Sequence, residues 1–234
     1  MNNKKIAIIT ARGGSKRIPK KNIKEFCGKP IILYSIEAAL KSKIFDEVMV
    51  STDSFEIAEI SKKAGAKVPF MRSKETSDDF ATTSSVILEV LKKYKELGKE
   101  FKYACCIYPT APFVNEEKLI NAMEMIQKNN VVEVMPVVKF SYPPQRSFSI
   151  QKDLLQMNWP EYMNTRSQEL EIFYHDCGQF YCYDVNKYIE LNGQISANIM
   201  PIIIPESEAQ DIDNEEDWKI AEIKYTIMKN NRIR

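Results

Sequence analysis

Four consecutive apolar residues, Ile6-Ala7-Ile8-Ile9, run straight into a thirteen-residue loop, Thr10 to Asn22, in which five side chains are cationic and two residues are glycine. A strand that short and uniformly apolar is buried on both faces, as in a parallel sheet, and delivers the loop to the sheet's carboxyl end, where α/β folds bind ligands. The loop fits neither common phosphate pattern. A Walker loop needs Gly-x-x-x-x-Gly-Lys-Ser/Thr and a dinucleotide loop needs Gly-x-Gly-x-x-Gly, each opening directly into a helix. Here Pro19 blocks an uninterrupted helix, so phosphates would be held by the Gly13 and Gly14 amides together with long side chains. We read a clamp for a triphosphate cut at its α-phosphate, with cations following the leaving pyrophosphate. A solvated basic loop is the competing reading.

A chain of 234 residues suits one large α/β domain spanning 1–234, or that domain with a small excursion. Its net charge of +1 makes no electrostatic case for nucleic acid or an anionic membrane. The distribution says more: residues 1–30 hold nine Lys/Arg and one Glu, and residues 205–222 hold eight Asp/Glu and one Lys. If those stretches meet, a metal and a polyphosphate fit between them. Five cysteines without a Cys-x-x-Cys pair indicate neither zinc nor a disulfide framework. The apolar run is too short for a signal segment and nothing approaches a membrane span, so a cytoplasmic protein is expected.

Along the chain the pattern alternates as βαβ units do. Pro30 is expected to start a helix through Leu40, Phe45 to Thr52 a strand ending at Asp53, Glu56 to Ala64 a helix, and Ala66 to Phe70 a short strand with Arg72 at its exit. Thr82 to Ser85 caps a helix to about Leu97, and Phe101 to Tyr108 is a buried strand closed by Pro109-Thr110-Ala111-Pro112. Asn115 opens a helix and Val131 to Val138 follows as a strand. From Lys139 to about residue 178 the pattern breaks down into proline, polar and aromatic residues, which we read as an excursion from the sheet. Gln179 to Asp184 and Met200 to Ile204 are strands. From Asn214 an amphipathic helix carries Trp218, Ile220, Ile223 and Ile227 near one face.

Asp211-Ile212-Asp213 stands just before that helix. Alternate residues of an extended segment face the same way, so the two carboxylates suit one hard cation, magnesium first, or equally the capping of the helix. Arg72, Arg146 and Arg166 are candidates for an anionic substrate or for surface ion pairs. His175, the only histidine, reads either as a general base or as a structural residue beside aromatics. Trp159, Tyr162, Phe173, Tyr174, Phe180 and Tyr181 form a sugar-stacking wall, a subunit contact or core.

Ala-Arg-Gly-Gly-Ser-Lys-Arg-Ile-Pro at 11–19, Val-Ser-Thr-Asp at 50–53, Tyr-Pro-Thr-Ala-Pro at 108–112 and Asp-Ile-Asp-Asn-Glu-Glu-Asp-Trp at 211–218 together resemble the acylneuraminate cytidylyltransferases, the CMP-sialic acid synthetases and their relatives. Tyr-Pro-Pro-Gln-Arg-Ser-Phe at 142–148, Thr-Arg-Ser-Gln at 165–168 and Tyr-His-Asp-Cys-Gly-Gln-Phe-Tyr at 174–181 are most similar to the pseudaminic acid branch. The resemblance implies a three-layer Rossmann-like nucleotidyltransferase fold: a mainly parallel mixed sheet, helices on both faces, and a small dimerisation excursion at 139–178. It implies magnesium-dependent transfer of CMP from CTP to a nine-carbon 2-keto sugar acid in a homodimer, and through that product the decoration of a surface polymer or flagellin. Ala11, Arg12, Gly13, Gly14, Ser15, Lys16, Lys21 and Asn22 match its CTP loop, and Arg72, Ala81 and Thr83 its cytosine positions. Asp211 and Asp213 match its metal pair. Lys21, Arg12 and Asp211 would carry the chemistry. Tyr108, Arg146, Arg166, His175 and Gln179 would serve the sugar, one arginine from the neighbouring subunit.

Sialic acid enzymes have Gln-Pro-Thr-Ser-Pro where this chain has Tyr108 and Ala111, and replacing that amide by a phenol argues against ordinary sialic acid. Arg17 and Cys182 also depart from the usual residues, without touching the expected chemistry. The alternatives are activation of sialic, legionaminic or 3-deoxy-octulosonic acid, or a non-catalytic sensor of nucleotide or sugar.

Overall fold

The computed structural model of the protein describes residues 3–232, so the amino-terminal stretch read for a signal segment is described only from Asn3. In chain order the regular elements are β1 (Lys5–Thr10), β2 (Glu25–Phe26), β3 (Lys29–Pro30), α1 (Ile32–Ser42), β4 (Glu47–Ser51), α2 (Phe55–Lys63), α3 (Thr83–Glu96), β5 (Tyr103–Ile107), α4 (Glu116–Lys128), β6 (Glu133–Lys139), β7 (Phe148–Gln151), β8 (Leu154–Met157), β9 (Tyr174–Asp176), β10 (Phe180–Asp184), α5 (Val185–Glu190), β11 (Ile199–Ile203) and α6 (Glu215–Arg232).

The main sheet has the order β11-β6-β10-β5-β1-β4. β1 is parallel to β4 and β5, and β6 is parallel to β11. β10 lies antiparallel between β5 and β6, and β9 adds to β6 farther along. Successive residues of each strand face opposite ways. Ala7, Ile9, Val48, Val50, Cys105 and Ile107 accordingly meet α1, α2 and α4 on one face. Ile6, Ile8, Met49, Ala104 and Cys106 meet α3 and α5 on the other. The result is three layers around a mixed, mainly parallel sheet. Cys105, Cys106, Cys177 and Cys182 are buried free thiols and Cys27 is an exposed one. Among the described residues no helix is long and apolar enough to cross a membrane.

The helices start where short polar side chains can accept an orphan amide. Ser54 caps α2, Thr82 caps α3, Asn115 caps α4 and Asp184 caps α5. Several expected boundaries move. Pro30 does not open α1; it pairs in a two-strand ribbon with Glu25, and the helix starts at Ile32. Ala66 to Phe70 makes one bridge, Lys67 to Met49, because only the Lys67 amide and carbonyl reach β4. The excursion ends before residue 178, since Tyr174–Asp176 pairs with Val137 to Lys139 in the main sheet. α5 was not expected. On α6, Trp218 and Ala221 are buried with Tyr225 and Met228 against them, while Ile220, Ile223 and Ile227 are exposed.

Candidate active site

β1 ends at Thr10 beside the ends of β4 and β5, and the basic loop spreads over those three strand ends. Ala11 is fully buried and donates its amide to Ser51 O at 2.9 Å, which fixes the loop's first step. Asn22 donates from Nδ2 to Arg12 O at 2.8 Å and so closes the loop on itself. Gly13 packs where a Cβ would stand 3.0 Å from Ser54 Cβ, and its amide donates to Asp53 Oδ1 at 2.7 Å. The Gly14 side opens to free space.

Beneath the loop lies a cleft of about 430 Å³ lined by Arg12, Ser15, Lys16, Lys21, Asn22, Arg72, Ala81, Thr83 and Tyr108 of the expected set. Thr10, Arg17, Ile18, Val86, Pro109 and Thr110 complete the lining. Arg72 is buried and tied to the end of β4, donating from Nε to Ser51 Oγ at 3.1 Å and from Nη2 to Ser51 O at 2.6 Å. Burial lowers its pKa, against the pull of Asp53 and Glu89. Tyr108 is held by hydrogen bonds from Ser35 Oγ to its carbonyl and from its amide to Gln179 O, and its hydroxyl lies 3.2 Å from Thr83 Oγ1.

The clamp cations are already engaged by carboxylates. Arg12 Nη1 and the Lys16 ammonium both bind Asp79, the former at 2.8 Å, and Arg12 also donates to Asp78 O. Lys16 first, then Arg12, holds the Asp79 carboxyl below the usual range. The basic and acidic ends of the chain do meet. Arg17 binds Asp213 Oδ2 at 2.7 Å, Lys24 binds Glu215 at 2.7 Å, and Lys21 Nζ donates to Ile212 O and lies 3.9 Å from Asp213 Oδ1. Arg17 therefore belongs to the site, contrary to the expectation that it stands apart. Burial lowers the pKa of Lys21 while Asp213 and Asp211 pull it upward.

The capping of α6 bears on the acidic pair. Asn214 Oδ1 accepts from the amides of Glu216 and Asp217, and Asp217 Oδ2 accepts in return from Asp213 N and Asn214 N. The cap is thus an Asn214/Asp217 box, and the side chains of Asp211 and Asp213 take no part in it. Burial, then the Asp213 charge, raises the Asp211 pKa. Among the described residues no group of three or more His, Cys, Asp or Glu could hold a metal, so the chain offers two carboxylates and a substrate would have to supply further oxygens. That donor set suits magnesium, which keeps waters and takes one or two carboxylates plus phosphate.

A second chamber of about 230 Å³ adjoins the cleft at Thr83 and Tyr108, lined also by Ser84, Glu133, Asp176, Tyr181 and Tyr188. Four expected sugar residues line neither cavity. His175 is exposed on β9, its ring tilted 59° to that of Phe140 with centroids 4.8 Å apart, and with Nδ1 2.8 Å from Asp176 O. Gln179 is buried and donates to Glu208 O at 2.7 Å. Arg146 donates to Thr165 O, and Arg166 stands beside it at the start of a short 3-10 turn. Of the aromatic wall, Phe180 and Tyr181 are core, and Trp159, Tyr162, Phe173 and Tyr174 are exposed. Sequence reasoning missed Asp79, Arg17 and the chamber. A lone acid in the apolar run of β6 was its one visible signal.

A family model described as cytidylyltransferase matches residues 6–175. A pseudaminic acid cytidylyltransferase of Campylobacter jejuni is 39% identical over 96% of this chain and 97% of its own length. A CMP-N,N'-diacetyllegionaminic acid synthase of Legionella pneumophila is 33% identical over 93% and 94%. Among solved structures, a CMP:2-keto-3-deoxy-manno-octonic acid synthetase complexed with CTP superposes with a TM-score of 0.69 at 17% identity, covering 97% of this chain and all of that one.

Proposed function

We propose, since this chain belongs to the cytidylyltransferase family, that it transfers CMP from CTP to the anomeric hydroxyl of a nonulosonic acid, pseudaminic acid first, releasing pyrophosphate. One observation carries the site assignment: the phosphate-clamp residues Arg12, Lys16 and Lys21 line a single cleft with the base-recognising Arg72, Ala81 and Thr83. The relatives at 39% and 38% identity, both pseudaminic acid cytidylyltransferases, support the choice of sugar.

CTP binds with its phosphates against Arg12, Lys16 and Lys21 and its cytosine toward Arg72, Ala81 and Thr83, in a pocket with short side chains. The sugar acid lies across Tyr108 with a substituent in the adjoining chamber, which brings its anomeric oxygen to the α-phosphorus. That oxygen attacks in line and a new P–O bond forms. The bond from the α-phosphorus to the bridging oxygen breaks, and the electron pair leaves on pyrophosphate, whose charge Arg12 and Lys16 neutralise. The hydroxyl proton passes to Asp211. Lys21, half-buried, opposes the charge that grows on the α-phosphoryl oxygens, where a dry setting strengthens it. Asp211 and Asp213 would hold magnesium, which when bound neutralises phosphate charge and orients the triphosphate. The use of CTP supports a cytoplasmic reaction, and the CMP-sugar would serve glycosylation of a surface polymer or flagellin. The excursion between β6 and β9 pairs two copies of the chain, its exposed Phe148, Ile150 and Leu155 being the apolar contact surface. One of Arg146 and Arg166 would reach the sugar from that partner.

The test is pyrophosphate release with CTP, UTP, ATP or GTP against pseudaminic, legionaminic, N-acetylneuraminic and 3-deoxy-octulosonic acids, with magnesium and with a chelator. Release with CTP and pseudaminic acid that stops with the chelator is expected. Release with another acid would move the specificity, and no release with any pair would overturn the reading.

A further inference from the structure

β6 begins with an acid inside an apolar run, Val131-Val132-Glu133-Val134-Met135. Glu133 is only 7% exposed, and among the described residues its carboxyl makes neither a hydrogen bond nor a salt bridge. The other two buried carboxylates are tied: Glu47 to Lys67 and Tyr94, and Asp184 to Lys102 and the Lys187 amide. An unpaired buried carboxyl is costly to ionise, and such groups collect where a ligand completes them.

Glu133 opens on the chamber that joins the nucleotide cleft at Thr83 and Tyr108. The titratable groups around it are Asp176 from β9, Tyr181 and Tyr183 from β10, Tyr188 from α5, and Cys106 and Tyr108 from β5 and its exit. α3 contributes only the hydroxyls of Thr83 and Ser84, and no lysine or arginine lines the space. Asp176 accepts from Tyr181 Oη at 2.6 Å and from Gly178 N at 2.9 Å, and its charge acts on Glu133. Burial first, and Asp176 second, push the Glu133 pKa up to about 7. At neutral pH the side chain is therefore to a large extent a neutral acid with an O–H to donate. A chamber without cations does not take the sugar's carboxylate. Its tyrosines and Ile195 suit an uncharged group with a carbonyl acceptor and a methyl, which is what an acylamino substituent presents.

We propose that Glu133 is a specificity-determining residue that donates a hydrogen bond to the acyl carbonyl of an acylamino substituent on the sugar acid. The inference rests on the function proposed above. It is tested by rates of pyrophosphate release with CTP and pseudaminic acid from pH 6 to 9, for the full chain and for Glu133→Gln and Glu133→Ala. Glu133→Ala is expected to raise the KM for the sugar about tenfold, the worth of one hydrogen bond in a dry site, with the KM for CTP unchanged. Glu133→Gln keeps an N–H donor of the same size. It should stay within about threefold of wild type at pH 6.5 and lack the fall in sugar kcat/KM expected of wild type above about pH 7. An acid whose folded pKa is raised makes the fold less stable as pH climbs from the unfolded value through the folded one, so Glu133→Gln should melt no lower than wild type at pH 8. A Glu133→Ala enzyme with unchanged sugar KM, a Glu133→Gln enzyme with the wild-type alkaline limb, or a large drop in its melting temperature would overturn the inference alone. A wild-type chain that releases no pyrophosphate from any sugar acid would overturn the proposed function and this inference with it.

Discussion

Lys21 and Asp79 make opposite demands on the clamp. Lys21 is a half-buried cation anchored on Ile212 O at the acidic segment, so its ammonium is fixed before any ligand arrives. A preorganised charge acts on the transition state more than on the ground state. Lys21→Ala is expected to lower kcat by about 10²-fold or more while titration calorimetry still detects CTP, because Arg12 and Lys16 remain. Equal losses in kcat and CTP affinity would reduce Lys21 to a binding residue. Asp79, exposed, holds both Arg12 and Lys16, the side chains assigned to the phosphates, and a triphosphate must displace it. Asp79→Asn removes an internal competitor and is expected to lower the KM for CTP by about two- to threefold, the scale of surface pairs. The gain should shrink at high salt, and a higher KM would mean that Asp79 organises the loop rather than opposing the ligand.

At the scale of elements, α6 and β4 show what positions the site. The Asn214/Asp217 box fixes the first turn of α6 and holds the Asp213 backbone through Asp217 Oδ2. Asn214→Ala is expected to cost about 1 kcal/mol, a fall in melting temperature of about 2–4 °C for a chain this long. β4 starts at Glu47, whose buried carboxylate accepts from Lys67 Nζ at 2.9 Å and Tyr94 Oη at 3.1 Å. Burial pushes its pKa up, but those hydrogen bonds and the Lys67 and Lys99 charges outweigh it and the net shift is downward. A depressed folded pKa gives stability that is present above the unfolded value and lost as pH falls through the folded one. Glu47→Gln should therefore melt below wild type at pH 7, with the gap closing from about pH 5 downward. Thermal melts at pH 7 and pH 3.5 decide it. These elements also show what the sequence could express. β1, β4, β5 and β10 were legible because short, mostly apolar runs bounded by turn residues leave little else possible. The phase of α6 was not, because Trp218, Ala221, Tyr225 and Ile220, Ile223, Ile227 form two stripes with the same spacing. Tertiary contacts, such as those of the Trp218 and Tyr225 rings with Phe26 at 5.5 and 5.6 Å, select the buried one. The clamp was legible from its composition, but its partner Asp79 lies 63 residues from Lys16 and shares no periodicity with it. Glu133 and Asp176 meet only through the antiparallel insertion of β10 and β9, which no local pattern announces.

For the molecule as a whole, the unresolved demand is the β7–β8 hairpin. Its register pairs Phe148 with Met157 and Ile150 with Leu155, so those four side chains share one face, while Ser149, Gln151 and Gln156 share the other with Leu154. Ile150 is 74% exposed and Leu155 69%, although they form the centre of the apolar face. A two-stranded hairpin is marginal in water and needs its apolar face covered, and among the described residues of one copy Phe148, Ile150 and Leu155 on this face stay exposed. A second copy brings an identical face, which a two-fold arrangement can set against the first, and it brings Arg146 and Arg166 on the same excursion. Light scattering at micromolar concentration is therefore expected to give about twice the 27.1 kDa of one chain. Replacing Ile150 and Leu155 together with lysine sets four cations against one another across such a two-fold contact and should give the monomer mass. If the partner also completes the sugar site, that monomer should lose activity toward the sugar acid while calorimetry still reports CTP bound to the intact clamp of each chain. A dimer that survives the double substitution would put the contact elsewhere, and a fully active monomer would take Arg146 and Arg166 out of the sugar site.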